Sequence, residues 1–249
     1  MKVLVFGHLG NMGKRYGRIL TDLKADWVGI DNRQPILDKI RVCSEGFKAI
    51  THVIIATPTE THQQLIRDCD ELFELPVKIL CEKPISFDMY IHNSPNLLYM
   101  VNNYQYLTAT KTRGLTSYAY YYSGPHGIIW DCIQLIAMAH GELELSLQST
   151  QWSAMINGHE LNRSTIDASY AAMIQDFIGE GNHLWGKAMI YKAHCRCTAL
   201  ESRFGFNPTS LRFDYADRSL SSPISRDDSS YPEFPKHYKW DGRLLNCPP

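Results

Sequence analysis

The sequence has almost no excess charge: 25 lysines and arginines stand against 26 acids, a net charge of −1. That balance supplies no bulk field for nucleic acid or an anionic membrane surface, and neither is expected as a partner. No apolar run approaches the roughly 20 residues that cross a bilayer, and no internal repeat is detectable. The chain opens directly on an apolar run that reads as a core strand, so no signal peptide is expected. Seven cysteines, an odd number scattered through apparent core elements, fit a reducing cytoplasm better than a disulfide framework. The densest group, His194-Cys195-Arg196-Cys197, lies in a long helical pattern. Residues two apart there point about 200° away from each other, so buried structural cysteines are expected and no metal site.

What is present is concentrated at the start. Residues 2–6, Lys-Val-Leu-Val-Phe, form a short run of β-formers that reads as a buried parallel strand. Gly7-x-x-Gly10-x-x-Gly13 follows, and then Met12, Tyr16, Ile19, Leu20 and Leu23 recur at helical spacing. Glycines let such a turn approach a pyrophosphate closely. The helix N-terminus behind it presents N–H groups and partial positive charge, here from Asn11, Met12 and Gly13. A second strand, residues 27–30, ends in Asp31, an acid placed to accept hydrogen bonds from both hydroxyls of an adenine ribose. Strand, glycine turn, helix, strand and acid together form a dinucleotide-binding signature. Its spacing departs from Gly-x-Gly-x-x-Gly by one extra residue. His8 falls where the first glycine would stand if Gly10 and Gly13 are the anchors.

Further along, a short helix is expected over residues 35–41 and a weak strand over 46–49. A buried strand, 53–56, is closed by Thr57-Pro58-Thr59, and an amphipathic helix spans 63–72. Residues 77–81 make another strand, ending in Glu82-Lys83-Pro84. Strands alternating with helices imply an α/β fold with a doubly wound, Rossmann-type parallel sheet. Ligands collect at the carboxyl ends of such strands. Gly7, Asp31, Thr57 and Lys83 all fall there.

The glycine turn with Asn11-Met12-Gly13, the Ala56-Thr57-Pro58-Thr59-x-x-His62 segment and Cys81-Glu82-Lys83-Pro84 resemble the Gfo/Idh/MocA family of NAD(P)-dependent oxidoreductases. The motifs keep that family's order across about the first 85 residues. Residues 98–106 resemble its next strand and aromatic end, while the helix normally preceding that strand is short or degraded here. The resemblance implies a second, smaller α+β domain with an open, mainly antiparallel sheet. Tyr118, Tyr120 and Tyr122 alternate as on a strand, as do Leu143, Leu145 and Leu147. Residues 156–159 read as a tight hairpin turn. Ser164-x-x-Asp167 reads as the cap of a helix stopped by Gly179 and Gly181, and a later helix is expected over 184–202. Domain boundaries are expected at 1–108, 109–203 and 204–249, the last an aromatic, Ser- and Pro-rich tail without periodicity.

By the resemblance, Lys83 is the leading catalytic candidate. A lysine at a strand end can hydrogen-bond the substrate oxygen whose charge changes during hydride transfer. Glu82 reads as its structural partner, bonding backbone or Lys83, and His62 as a group that caps its helix or bonds backbone. With Gly7, Gly10, Asn11, Met12, Gly13, Asp31, Arg33, Thr57, Pro58 and Thr59, these residues make up the expected cofactor site. The family's second cluster aligns with residues 124–138, where Asp131 matches its first acid. The histidine four residues on is Leu135 here, so the usual proton donor is absent. Three explanations stay open. Lys83 serves as acid and base tuned by Asp131, another group (His126, Tyr122 or Gln134) has taken the role, or the domain binds a dinucleotide without turning it over.

The function expected is hydride transfer between NAD(P) and a hydroxyl or carbonyl carbon of a sugar, cyclitol, sugar nucleotide or similar small molecule. Asp31 favours NAD over NADP, softened by Arg33. The alternatives are a non-catalytic dinucleotide-binding protein and an NAD-dependent glycosidase or lyase of the same fold. A half-sheet rich in Tyr and Leu would leave an apolar face exposed, so a homo-oligomer, a dimer through that sheet, is expected.

Overall fold

Residues 2–6 and 50–55 are built almost wholly of apolar, largely β-branched side chains, and they lie side by side at the centre of a parallel sheet. The computed structural model describes residues 1–32, 49–85, 94–107, 118–120, 133–138, 142–146, 154–156, 159–160, 162–204 and 210–214. The helix expected over 35–41 and most of the strand over 46–49 lie outside them, as do Tyr122 and Leu147.

The described residues fall into two compact units, the first drawn from Met1–Phe87, Ile91–Asn102 and Tyr170–Ile190. Its sheet comprises β1 (Lys2–Phe6), β2 (Asp26–Ile30), β3 (Ile50–Ile55), β4 (Lys78–Cys81) and β5 (Leu97–Met100), in the order β2-β1-β3-β4-β5. Every pairing is parallel. Val3, Leu4, Val5, Val53, Ile54, Ile55, Ile79 and Leu80 are fully buried. A strand buried on both faces needs this continuous apolar run rather than alternation. Helix α1 (Asn11–Asp22) buries Tyr16, Ile19 and Leu20, and α2 (His62–Leu72) buries Ile66 and Cys69. The C-terminal part of α4 (Arg163–Ile178) buries Met173, Ile174 and Phe177. It ends as expected before Gly179, and Gly181 takes a positive φ of 77°. Lys78 Nζ donates to the Gly179 carbonyl at 2.6 Å, satisfying a backbone group just beyond the helix.

The second unit holds the described residues of Asn103–Ser169 and those from Tyr191 onward. A short helix, α3 (Ile133–Met138), lies here, with most of α5 (Lys187–Phe204). β6 (Tyr118–Tyr120), β8 (Ala154–Ile156) and β9 (His159–Glu160) pair antiparallel, and Ile156 faces His159 across the expected hairpin. β7 (Glu142–Ser146) pairs antiparallel with β10 (Ser210–Asp214). His194 and Cys197 are buried on α5, and Cys195 is half-buried.

Three local expectations are corrected. Residues 210–214, in the stretch read as a tail without periodicity, form a strand: Leu211 and Phe213 alternate, and Leu145 and Leu143 of β7 supply the register. The α4 cap is Asn162 rather than Ser164. Asn162 Oδ1 accepts the Thr165 N–H at 3.0 Å and the Ser164 hydroxyl at 2.7 Å, leaving Ser164 in the first turn. α5 starts at Lys187 and not at residue 184, because Trp185 is held extended in an antiparallel bridge with Met100. Among the described residues, no helix is long and apolar enough to cross a membrane.

Two buried histidines make the fold acid-sensitive. His52 packs edge-on to Phe177 at 5.1 Å. Burial first, and then the Lys78 charge, push it down from 6.5 to about 4. Burial alone lowers His194 to about 4. Both rings are neutral in the fold, whereas the unfolded chain takes up a proton below about 6.5. Stability is therefore full above that pH and falls as pH drops from 6.5 towards 4. Thermal melts across this window should show the decline, and His52→Phe, which keeps a ring against Phe177, should flatten it.

Candidate functional site

The strand order reverses direction between β1 and β3, and at such a switch point the connections leave a crevice at the carboxyl ends of the strands. The glycine turn occupies the β1 side. Gly7 has a φ of 79°, where L side chains are strained. Its N–H donates to Ile30 O at 2.7 Å, and Gly10 N–H returns to Gly7 O at 2.9 Å. A Cβ on Gly7 would stand 2.7 Å from the Ala56 carbonyl oxygen, and one on Gly13 would stand 2.1 Å from Gly7 O. The first turn of α1 is thus pressed against the end of β1. Gly10 caps this helix with no side-chain bond, and no acid lies in the first turn. No acid of the helix's own first turn competes for the N–H groups of Asn11, Met12 and Gly13, which suits a pyrophosphate.

Asp31 sits buried just past the end of β2, and its Oδ2 accepts the Leu9 N–H at 3.1 Å. The carboxylate thus braces the enlarged glycine turn. The extra residue is accommodated by a second glycine that the motif reading passed over. The His8 ring lies over Gly29, where a Cβ would come within 2.3 Å of His8 Cγ. It meets Trp27 edge-on at 6.5 Å.

Thr57, Pro58 and Thr59 follow β3 and lead through a single 3-10 turn, Thr59–Thr61, into α2. The Thr61 hydroxyl lies 2.7 Å from Thr57 Oγ1. His62, at the first position of α2, is 1% exposed. Its Nε2 is 2.8 Å from Thr57 O and its Nδ1 is 3.0 Å from Pro84 O. A neutral imidazole can donate to one of these carbonyls and an imidazolium to both. With the proton on Nδ1 the ring bonds Pro84 O and ties the start of α2 to the turn after β4.

That turn carries Lys83. Glu82 N–H donates to Ile55 O at 2.9 Å, extending the ladder by one residue. Glu82 Oε2 accepts the Lys83 N–H at 3.2 Å, and Oε1 accepts the Tyr16 hydroxyl in a short bond. The Lys83–Pro84 peptide is cis, and Lys83 itself is half-buried. Tyr16 was legible in the sequence only as an apolar position of α1. Nothing in its spacing announces a bond to a residue 66 positions away.

Gly7, Gly10, Asn11, Met12, Gly13, Asp31, Thr57, Pro58, Thr59, His62, Glu82 and Lys83 therefore gather at the carboxyl ends of β1 to β4 or on the elements they lead into. Arg33, His126 and Asp131 lie outside the described residues. In the second unit Gln134 is buried, and its Oε1 accepts the Tyr104 N–H at 3.4 Å.

No protein-family model matches the sequence, and no curated protein matches it. Solved structures do match by shape. The WlbA (WbpB) dehydrogenase from Thermus thermophilus, determined with NAD and UDP-GlcNAcA, aligns with a TM-score of 0.53 at 10% identity. The match covers 79% of this chain and 93% of that one. A myo-inositol dehydrogenase from Corynebacterium glutamicum ATCC 13032 aligns at 0.52 and 13%, covering 86% and 98%. The chain has the fold of these dehydrogenases. That α/β fold with a parallel, Rossmann-type sheet is the one expected from the alternation of strands and helices. At such identities the likeness is one of fold.

Gly13→Ala should destabilise the first unit by about 1–3 kcal/mol, since the new methyl has only backbone to displace. A denaturant titration alongside wild type measures it. An unchanged midpoint would mean that α1 is free to shift.

Proposed function

We propose that this chain is an NAD(P)-dependent oxidoreductase acting at a hydroxyl or carbonyl carbon of a polyol, sugar or sugar nucleotide. The observation that carries this reading is the convergence at one end of the sheet. An uncapped helix N-terminus behind a glycine turn, a buried acid after β2 and a lysine on a tightly held turn after β4 share the crevice edge of β1 to β4. The donor set fits a dinucleotide: backbone N–H groups of residues 11–13 for the pyrophosphate and Asp31 for the ribose hydroxyls. A bound nicotinamide would supply the hydride acceptor or donor. Lys83 then does the chain's own work. Its side-chain nitrogen hydrogen-bonds the substrate oxygen: as the free amine it takes the hydroxyl proton while hydride leaves the carbon in alcohol oxidation, and as the ammonium it returns that proton to the oxygen in carbonyl reduction. One fold neighbour was determined with UDP-GlcNAcA and another is a myo-inositol dehydrogenase, which supports the choice of a polyhydroxylated substrate.

Asp31 bears on cofactor choice. A buried carboxylate repels the 2′-phosphate of NADP, so NAD(H) should bind more tightly than NADP(H). Calorimetry with both cofactors measures the difference. Equal or tighter NADPH binding would assign the pocket to Arg33, and absence of binding by either would overturn the proposed function.

Lys83→Met should leave cofactor affinity nearly intact while slowing turnover. One preorganised interaction of this kind is worth on the order of 3 kcal/mol, about a hundredfold in rate. The assay is NADH formation with inositols, free sugars and UDP-sugars. Lys83→Arg should rescue poorly, because the broader guanidinium cannot exchange a proton near neutral pH. Wild-type rates for Lys83→Met on any substrate that turns over would place the catalytic group elsewhere.

A further inference from the structure

We propose that Tyr16 is a positioning residue: through Glu82 it couples the helix that cradles the cofactor phosphates to the turn that carries Lys83. The inference rests on the reading of Lys83 as the group that meets the substrate oxygen. Tyr16 lies one turn beyond Gly13 on the buried face of α1 and has no solvent exposure. Its hydroxyl donates to Glu82 Oε1, while the other oxygen of the same carboxylate accepts the Lys83 N–H at 3.2 Å. Two hydrogen bonds on one rigid carboxylate therefore connect a helical side chain to the peptide of the reacting lysine. Neither end of this relay is loose. Gly13 is pressed against the backbone of Gly7 and His8, which fixes the first turn of α1. The Tyr16 ring is held edge-on by Tyr170 at 6.0 Å, and the Arg15 guanidinium covers Tyr170 at 4.7 Å.

A phenylalanine would fill this buried volume without a polar atom to satisfy, so packing alone gives no reason for the hydroxyl. Its use is directional. Burial, and then the Glu82 charge, raise Tyr16 well above the ordinary phenol range, so it stays protonated and remains a donor. The far side of the turn is anchored independently, by His62 Nδ1 at Pro84 O. Loss of the hydroxyl thus releases one anchor while the others hold, leaving the turn folded but Lys83 less well placed.

The test compares Tyr16→Phe with wild type by lysine acetylation. Cofactor-free protein is treated with acetic anhydride, and labelling of Lys83 is followed by peptide mass spectrometry, with exposed Lys14 as internal standard. The relay predicts a change of at least about threefold in the Lys83 rate while the Lys14 rate is unaltered. On a substrate that turns over, kcat should fall about ten- to a hundredfold, the scale of a small misplacement. KM and NAD affinity should stay within about twofold. Glu82→Gln should shift Lys83 labelling in the same direction, which keeps the test available if Tyr16→Phe folds poorly. Adding it to Tyr16→Phe should cause little further loss. A lowered melting temperature with unchanged Lys83 labelling and unchanged kcat per folded molecule would make Tyr16 a core residue only and overturn the relay. That result is separable from failure of the oxidoreductase reading, which shows as absent NAD binding or a fully active Lys83→Met.

Discussion

The close approach of Gly13 to the backbone of Gly7 and His8 is the constraint from which the rest of the first unit follows. No side chain larger than hydrogen fits there, so α1 starts hard against the end of β1. The same approach sets the height of Tyr16 above the sheet, one helical turn on, and with it the reach of its hydroxyl to Glu82. It also fixes the wide glycine turn whose Leu9 N–H is received by Asp31. The backbone of the glycine turn, the Asp31 brace and the Tyr16–Glu82 bond thus all depend on one tight contact between a helix and a strand end.

The turn after β4 shows how a small sheet holds an active-site candidate in place with few residues. Three side chains from three different elements act on it: Glu82 from the turn itself, Tyr16 from α1 and His62 from α2. Each side chain is buried, and the bonds made by Tyr16 and by His62 at Pro84 O lie where water cannot compete well. The lysine between them remains half-buried and reachable. Buried polar groups around an accessible cation are expensive in desolvation unless all are paired, so this arrangement ties the stability of the turn to its geometry.

Much of the first unit could be read from the chain in order. Short apolar runs marked β1, β3 and β4, because strands buried on both faces must be apolar through their buried length. Glycine spacing marked the turn, because only glycine tolerates its positive φ and close contacts. The second unit was harder. Leu211 and Phe213 alternate over too few residues to stand out from the aromatic, Ser- and Pro-rich composition around them, and only pairing with β7 reveals a strand. Trp185 sits in a helical pattern by composition, but its backbone is claimed by Met100. Asn162 and Ser164 are both good caps on propensity alone, and the direction of the chain entering α4 chose between them.

By itself the sequence determined the parallel α/β architecture, the glycine turn and the chemical types that arrive at the strand ends, since local conformation and burial period depend on near neighbours. The tertiary structure decided which of those groups meet. Tyr16 and Glu82 are 66 residues apart, and His62 stands between two carbonyls that belong to different loops. Such contacts have no sequence period, because they arise only when parallel strands bring the ends of separate segments to a common edge.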